Sequence, residues 1–187
     1  MKRLFLSLLI SVCTLCMAQT NHMKFKGIPM EGPVESFVKK LEAKGYTYLG
    51  QQDALFILQG EFAAEKDCVI GVTTENNEVK SVAVFFHEKE TWGELSREYY
   101  MFKSLLTEKY GKPECIEGFK DEEYMSDVSK FLSLLQNECT FASQFFTKEG
   151  EITLSMTKKG TLTACVSLLY CDKTTIEESY KKAMEDL

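Results

Sequence analysis

Cys68-Val69-Ile70-Gly71-Val72-Thr73-Thr74, then Glu75-Asn76-Asn77-Glu78, then Val79-Lys80-Ser81-Val82-Ala83-Val84-Phe85-Phe86 is the stretch that decides the fold. Its flanks are rich in β-branched and aromatic side chains, which suit a pleated surface. Between them, two asparagines tolerate the positive φ that a tight hairpin turn demands. The reading is an antiparallel hairpin with strands over 68–74 and 79–86. Val82 to Phe86 is apolar on both faces, so the second strand is expected at the centre of a sheet, with cover on both sides.

Toward the N-terminus the same period of two continues. Tyr46–Gln51 and Ala54–Gly60 read as strands joined at Gln52-Asp53. Phe56 and Leu58 share one face of the second, Leu55 and Ile57 the other. Before them, Pro33 suits a first helical turn, and Val34, Phe37, Val38 and Leu41 recur at helical spacing. Gly45 stands where a left-handed cap belongs. The segment from Phe25 to Pro33, broken by glycine and proline, is an extended lead-in.

Toward the C-terminus, Thr91 with Glu94 has the spacing of a capping box. Leu95, Tyr99, Phe102, Leu105 and Leu106 carry the helix on to Gly111-Lys112-Pro113, which stops it. Residues 116–120 show no clear period. A further helix is expected over Glu122–Gln136, with Tyr124, Val128, Phe131, Leu132 and Leu135 on one face. Three strands follow: Thr140–Thr147, the alternation of Ile152, Leu154 and Met156, and that of Leu162 to Tyr170. Turns at Lys148-Glu149-Gly150 and Lys158-Lys159-Gly160 separate them. Thr174 is expected to cap a closing helix through Ile176, Tyr180 and Met184.

The order is helix, four strands, helix, then helix, three strands, helix. Short turns make neighbouring strands antiparallel. The class is α+β: antiparallel meander sheets packed by helices. Residues 19–187 form one domain, and 25–113 and 114–187 read as two degenerate helix-plus-sheet halves.

Residues 1–18 carry an address. Met1-Lys2-Arg3 is basic, Leu4 to Leu15 is apolar, and Cys16-Met17-Ala18 places small residues at a cleavage site before Gln19. That is a secretory signal peptide, too short for a permanent span. The expected location is periplasmic or extracellular. Lipid attachment at Cys13 or Cys16 is the less favoured address, because bulky Val12 and Leu15 precede them. Losing Lys2 and Arg3 with the leader takes the formal charge from −6 to −8. An acidic surface repels phosphate backbones, so nucleic acid is not an expected partner. No later stretch has the length to insert in a membrane.

Outside the leader stand Cys68, Cys115, Cys139, Cys165 and Cys171. Their odd number leaves at least one unpaired in a monomer. Buried thiols and one or two disulfides are both open readings. No Cys-x-x-Cys pair signals zinc or a redox site.

Ile28-Pro29 with Gly32, Lys44-Gly45-Tyr46, Gly60 with Phe62, and Leu105-Leu106-Thr107-Glu108-Lys109-Tyr110-Gly111-Lys112-Pro113 together resemble a group of small exported bacterial proteins of unassigned function. Phe146-Thr147 with Gly150-Glu151-Ile152, and the strand end Tyr170-Cys171-Asp172, extend the resemblance over most of the mature chain. Its motifs are structural punctuation and imply an architecture without a chemistry. The layout is also similar to modules of the β-lactamase-inhibitor-protein type, a likeness of topology.

The sequence carries no strong catalytic constellation. His22 lies in a polar lead-in, and His87 with Glu88 and Glu90 is the best metal cluster on offer. Adjacent residues point apart on a strand, so no metal site is expected. A Cys68 or Cys115 nucleophile with His87 as base is conceivable, though neither cysteine opens a helix. Phosphate loops, a nucleophile elbow and calcium-loop spacing are missing, and no cofactor is expected. Aromatics, at 12% of the chain, are the one excess. Most belong to a core. Any surplus at the surface would grip a protein or glycan, with Tyr99, Tyr100, Phe146 and Trp92 as the binding candidates. The expected function is therefore a non-catalytic exported binding module of the cell envelope. The alternatives are a hydrolase near His87 or a free cysteine, and a self-associating structural component.

Overall fold

A computed structural model describes residues 21–119 and 125–187. The leader reading over 1–18 and the expected helix start at Glu122–Tyr124 lie outside them. The chain is α+β. A two-stranded sheet joins β1 (Lys24–Phe25) to β2 (Ile28–Pro29), and α1 (Val34–Glu42) follows. Then come β3 (Thr47–Gln52), β4 (Leu55–Phe62), β5 (Glu65–Glu75) and β6 (Glu78–Phe85). Helix α2 (Trp92–Tyr110) leads into β7 (Glu114–Gly118), α3 (Asp127–Leu135), β8 (Thr140–Phe146), β9 (Gly150–Lys158), β10 (Ala164–Asp172) and α4 (Lys173–Glu185).

The last eight strands form one antiparallel sheet in the order β3-β4-β5-β6-β10-β9-β8-β7. Two runs of the chain each join a helix to a four-strand meander, α1 with β3–β6 and α2 with β7–β10, with α3 inserted between β7 and β8. Their last strands, β6 and β10, pair at the centre from Ser81↔Cys171 to Phe85↔Ser167. Their first strands, β3 and β7, are the two edges. The second meander thus has four strands, because the segment without a clear period holds β7.

Local chemistry explains the joints. Asn76 and Asn77 take φ of 54° and 67°, as the β5–β6 turn requires. That turn also anchors α1: Val34 N–H donates to the Asn77 carbonyl at 3.0 Å. Thr91 caps α2 by accepting from Glu94 N–H at 3.3 Å and donating to Glu94 Oε2 at 3.0 Å. Gly60 has no side chain because the Tyr46 ring lies where its Cβ would be.

Side chains line up across the sheet in registered rows. Phe56, Val72, Val82, Tyr170, Ile152 and Phe145 form one inner row, and Leu58, Ile70, Val84, Leu168, Leu154 and Ser143 the next. All are buried. Helix α1 covers them with Val34, Phe37, Val38 and Leu41, and α2 with Trp92, Leu95, Tyr99, Phe102 and Leu106. Removing these surfaces from water is the main stabilising term of the fold.

Three local expectations are corrected. First, β6 is central but covered on one face only: Val82 and Val84 are buried, whereas Ala83 and Phe85 are half-exposed. Second, the third helix starts at Asp127, with Ser126 as its cap; Val128 and Leu132 of the expected apolar face are exposed, and Leu134 is buried instead. Third, α4 is capped by Asp172, whose Oδ1 accepts from Thr174 N–H at 2.9 Å and Thr174 Oγ1 at 2.7 Å. Thr174 is the donor. The five thiols at Cys68, Cys115, Cys139, Cys165 and Cys171 are free.

Candidate binding surface

The aromatic candidates divide by burial. Trp92 opens α2 and packs edge-on to Phe141 at 5.1 Å, and Tyr99 lies fully inside. Both belong to the core. Tyr100, 47% exposed, and Phe146, 54% exposed, reach solvent. They do not meet: Tyr100 is on α2, over the inner face, whereas Phe146 shares its outward direction with Gln144 and Ala142 on β8.

His87 follows β6 with a side chain half in water, and its Nδ1 lies 3.8 Å from Glu65 Oε2. Glu88 points elsewhere, accepting from Thr163 Oγ1 at 2.6 Å. Among the described residues no three His, Cys, Asp or Glu side chains converge as a metal site would need. Cys68 is enclosed in the core and donates to the Glu65 carbonyl at 3.5 Å. Burial pushes its thiol up, away from the thiolate a nucleophile needs. Cys115 is on β7, four places along the sheet from the strand that leads into His87. The structure therefore buries Cys68 as a protonated thiol and sets Cys115 far from the histidine.

What the chain does assemble around Cys115 is a polar network that sequence reasoning missed. Glu117 Oε1 accepts from the Tyr99 hydroxyl at 2.6 Å, from Ser143 Oγ at 2.9 Å and from Lys103 Nζ at 2.7 Å. The Cys115 thiol is 3.5 Å from Ser143 Oγ. Ser143 stands at the end of an otherwise apolar inner row, so its hydroxyl needs these partners. Burial alone would raise the Glu117 carboxyl, but the hydrogen bonds from Lys103, Tyr99 and Ser143 together hold it below the usual range. A depressed carboxylate stabilises the fold above its unfolded pKa, and that contribution fades as pH falls through the folded value. Glu117→Gln is therefore expected to lower the denaturation midpoint at pH 7 and to narrow the gap to the parent below about pH 4. Guanidinium melts across that range check it.

The sheet's outer face is the larger feature. In register across it run Ile57, Gly71, Ala83 and Leu169, then Thr153 and Gln144. The neighbouring row is Val69 and Phe85, then Ser167 and Ser155. The β4–β6 half of this face is thus apolar and the β8–β9 half polar. Leu55, Ile57, Val69, Ala83 and Phe85 are half-exposed, and Leu169 is 41% exposed. The α4 helix begins at the end of β10 and buries no side chain of its own. Lys159 Nζ lies 4.6 Å above the Phe85 ring, a cation at the border of an apolar patch. In the sequence, the signal for this surface was the apolar run Val82–Phe86, which equally fits a strand covered twice.

No family model, no curated protein and no solved structure matches this chain.

Proposed function

We propose that this chain is a non-catalytic, exported binding module that docks a protein partner on the bare apolar face of β4, β5, β6 and β10. The observation that carries the reading is the set Ile57, Ala83 and Leu169 beside Val69 and Phe85, partly open to water around a buried Gly71 and opposite a fully packed inner face. A water-exposed apolar centre bordered by Ser81, Thr73, Ser167 and Thr153 is the anatomy of a protein interface. The flat, two-dimensional spread suits a protein better than a small molecule, which seeks concavity. The acidic balance, 28 Asp and Glu against 22 Lys and Arg in the full chain, favours a partner with a basic rim. Export rests on the leader pattern of residues 1–18.

A photo-crosslinking residue at position 169, in the full chain in its producing cell, tests this. The expected product is an adduct with a different polypeptide, lost when Phe85→Glu is added. An adduct of twice the chain's own mass would replace the reading with self-association. Absence of any adduct, or one indifferent to Phe85→Glu, would refute it.

A further inference from the structure

A second site lies on the opposite side of the sheet. A cavity of about 510 Å³ opens between the β1–β2 hairpin, the β4–β5 turn, the end of α2 and the β8–β9 turn. That is within the range of small-molecule sites, roughly 300–1,000 Å³. Tyr170 and Ile152 of the inner sheet face lie at its floor, and Phe62 and Tyr110 line its walls.

The chemistry of this lining departs from that of the chain. The protein is acidic, with 28 carboxylate side chains against 22 Lys and Arg. Yet Lys24, Lys26 and Lys109 all line the cavity, and among the described residues Glu149 is the one acidic side chain that does. None of the three lysines forms an ion pair among the described residues. Instead, Lys26 Nζ stands 5.8 Å from the Phe62 ring centre and Lys109 Nζ 4.9 Å from that of Tyr110. The ammonium groups are held over aromatic walls, charged and unneutralised. Lys109 also complements the C-terminal end of α2, but that accounts for neither Lys24 nor Lys26.

The cavity also offers a neutral donor. Tyr170 is 7% exposed, and its hydroxyl has no hydrogen-bond partner among the described residues. Burial, with Tyr110 and Tyr46 nearby, keeps that phenol protonated and so a donor. A ligand acceptor placed there would take up this free hydroxyl donor.

We propose that this cavity binds an organic acid built on a six-membered ring. Its carboxylate sits among the Lys24, Lys26 and Lys109 ammonium groups and accepts from the Tyr170 hydroxyl, while its ring lies against Phe62 or Tyr110. Acidic sugars and aromatic acids share that chemistry. The site is independent of the outer sheet face, so either proposal can fail alone.

Titration of the mature protein with glucuronate and with benzoate, followed by amide and aromatic NMR shifts, tests it. Methyl glucoside and benzyl alcohol are the neutral controls. Saturable shifts at Lys26, Tyr110 and Tyr170 are expected with at least one acid, on the order of tenfold tighter than its neutral control. Whichever acid saturates names the source. Lys26→Gln with Lys109→Gln should weaken binding by a further order of magnitude without moving the melting temperature, both residues being exposed. Tyr170→Phe should weaken it several-fold, because the ring packing stays and only the donor goes. No saturation with either acid, equal binding of the neutral controls, or affinity untouched by the lysine changes would overturn the proposal.

Discussion

Phe25→Ala is expected to destabilise the fold by about 3–5 kcal/mol, the usual cost of emptying a large aromatic site in a core. A domain of this size commonly holds only about 5–15 kcal/mol in all. Phe25 has no exposed surface, although it belongs to a strand of two residues. It stacks on Phe62 at 5.5 Å with the rings 4° from parallel, and Tyr170 meets it edge-on at 5.4 Å. One ring thus joins the N-terminal hairpin to the β4–β5 tip and to the central strand β10. A two-stranded hairpin does not hold itself together in water. Its place depends on Phe25 with Met23, Ile28 and Met30, all buried. The expected signature is a lower guanidinium midpoint together with early hydrogen exchange at the amides of β1 and β2. A loss under about 1 kcal/mol would mean that the surrounding rings collapse into the space. Because the hairpin walls the organic-acid cavity, Phe25→Ala should also abolish binding there.

Much of this fold can be read locally. The Asn76-Asn77 turn and the Thr91–Glu94 cap lie within a few residues of what they control, and the structure has both. The closing cap of α4 is local too, but Asp172 also ends a strand, so its sequence position does not mark it as a cap. Strand β7 was hidden for a different reason. It is an edge strand whose Ile116 faces out and whose Glu117 faces in, the reverse of the usual alternation. Glu117 is acceptable there only because Lys103 and Tyr99, from a helix earlier in the chain, supply donors. No local pattern announces such a partner.

The bare outer face illustrates an ambiguity of another kind. Val82-Ala83-Val84-Phe85-Phe86 is apolar on both sides of a strand, which fixes a central position without saying whether the second side is covered. Cover depends on where helices land, and here α1 and α2 land on the same side. The organic-acid cavity was out of reach altogether. Lys24, Phe62, Lys109 and Tyr170 come from four separate segments, so only the folded chain groups them.

Asp172→Ala should be the most damaging single loss of a polar side chain, at about 2–4 kcal/mol. The carboxylate is 1% exposed and divides its oxygens between two tasks. Oδ1 accepts from the Thr174 amide and hydroxyl and so caps α4. Oδ2 accepts from Met23 N–H at 2.7 Å and lies 3.3 Å from His22 Nδ1, and so ties down the segment that precedes the β1–β2 hairpin. Losing a cap costs about 1 kcal/mol, and stranding a buried amide donor about 1–3 kcal/mol more. Asp172→Asn separates the two, since an amide side chain keeps one carbonyl oxygen and turns a donor toward the other set of donors. It should retain either the helix cap or the N-terminal tie. Hydrogen exchange at Met23 and Thr174 shows which, while urea melts give the total. If Asp172→Ala and Asp172→Asn were both within about 0.5 kcal/mol of the parent, the carboxylate would hold neither element. If instead the Met23 amide exchanges early in both variants and acid binding falls with it, Asp172 is the residue through which the central strand positions the cavity wall. The end of a β-strand would then be setting the shape of a site built largely from a segment about 150 residues earlier in the chain.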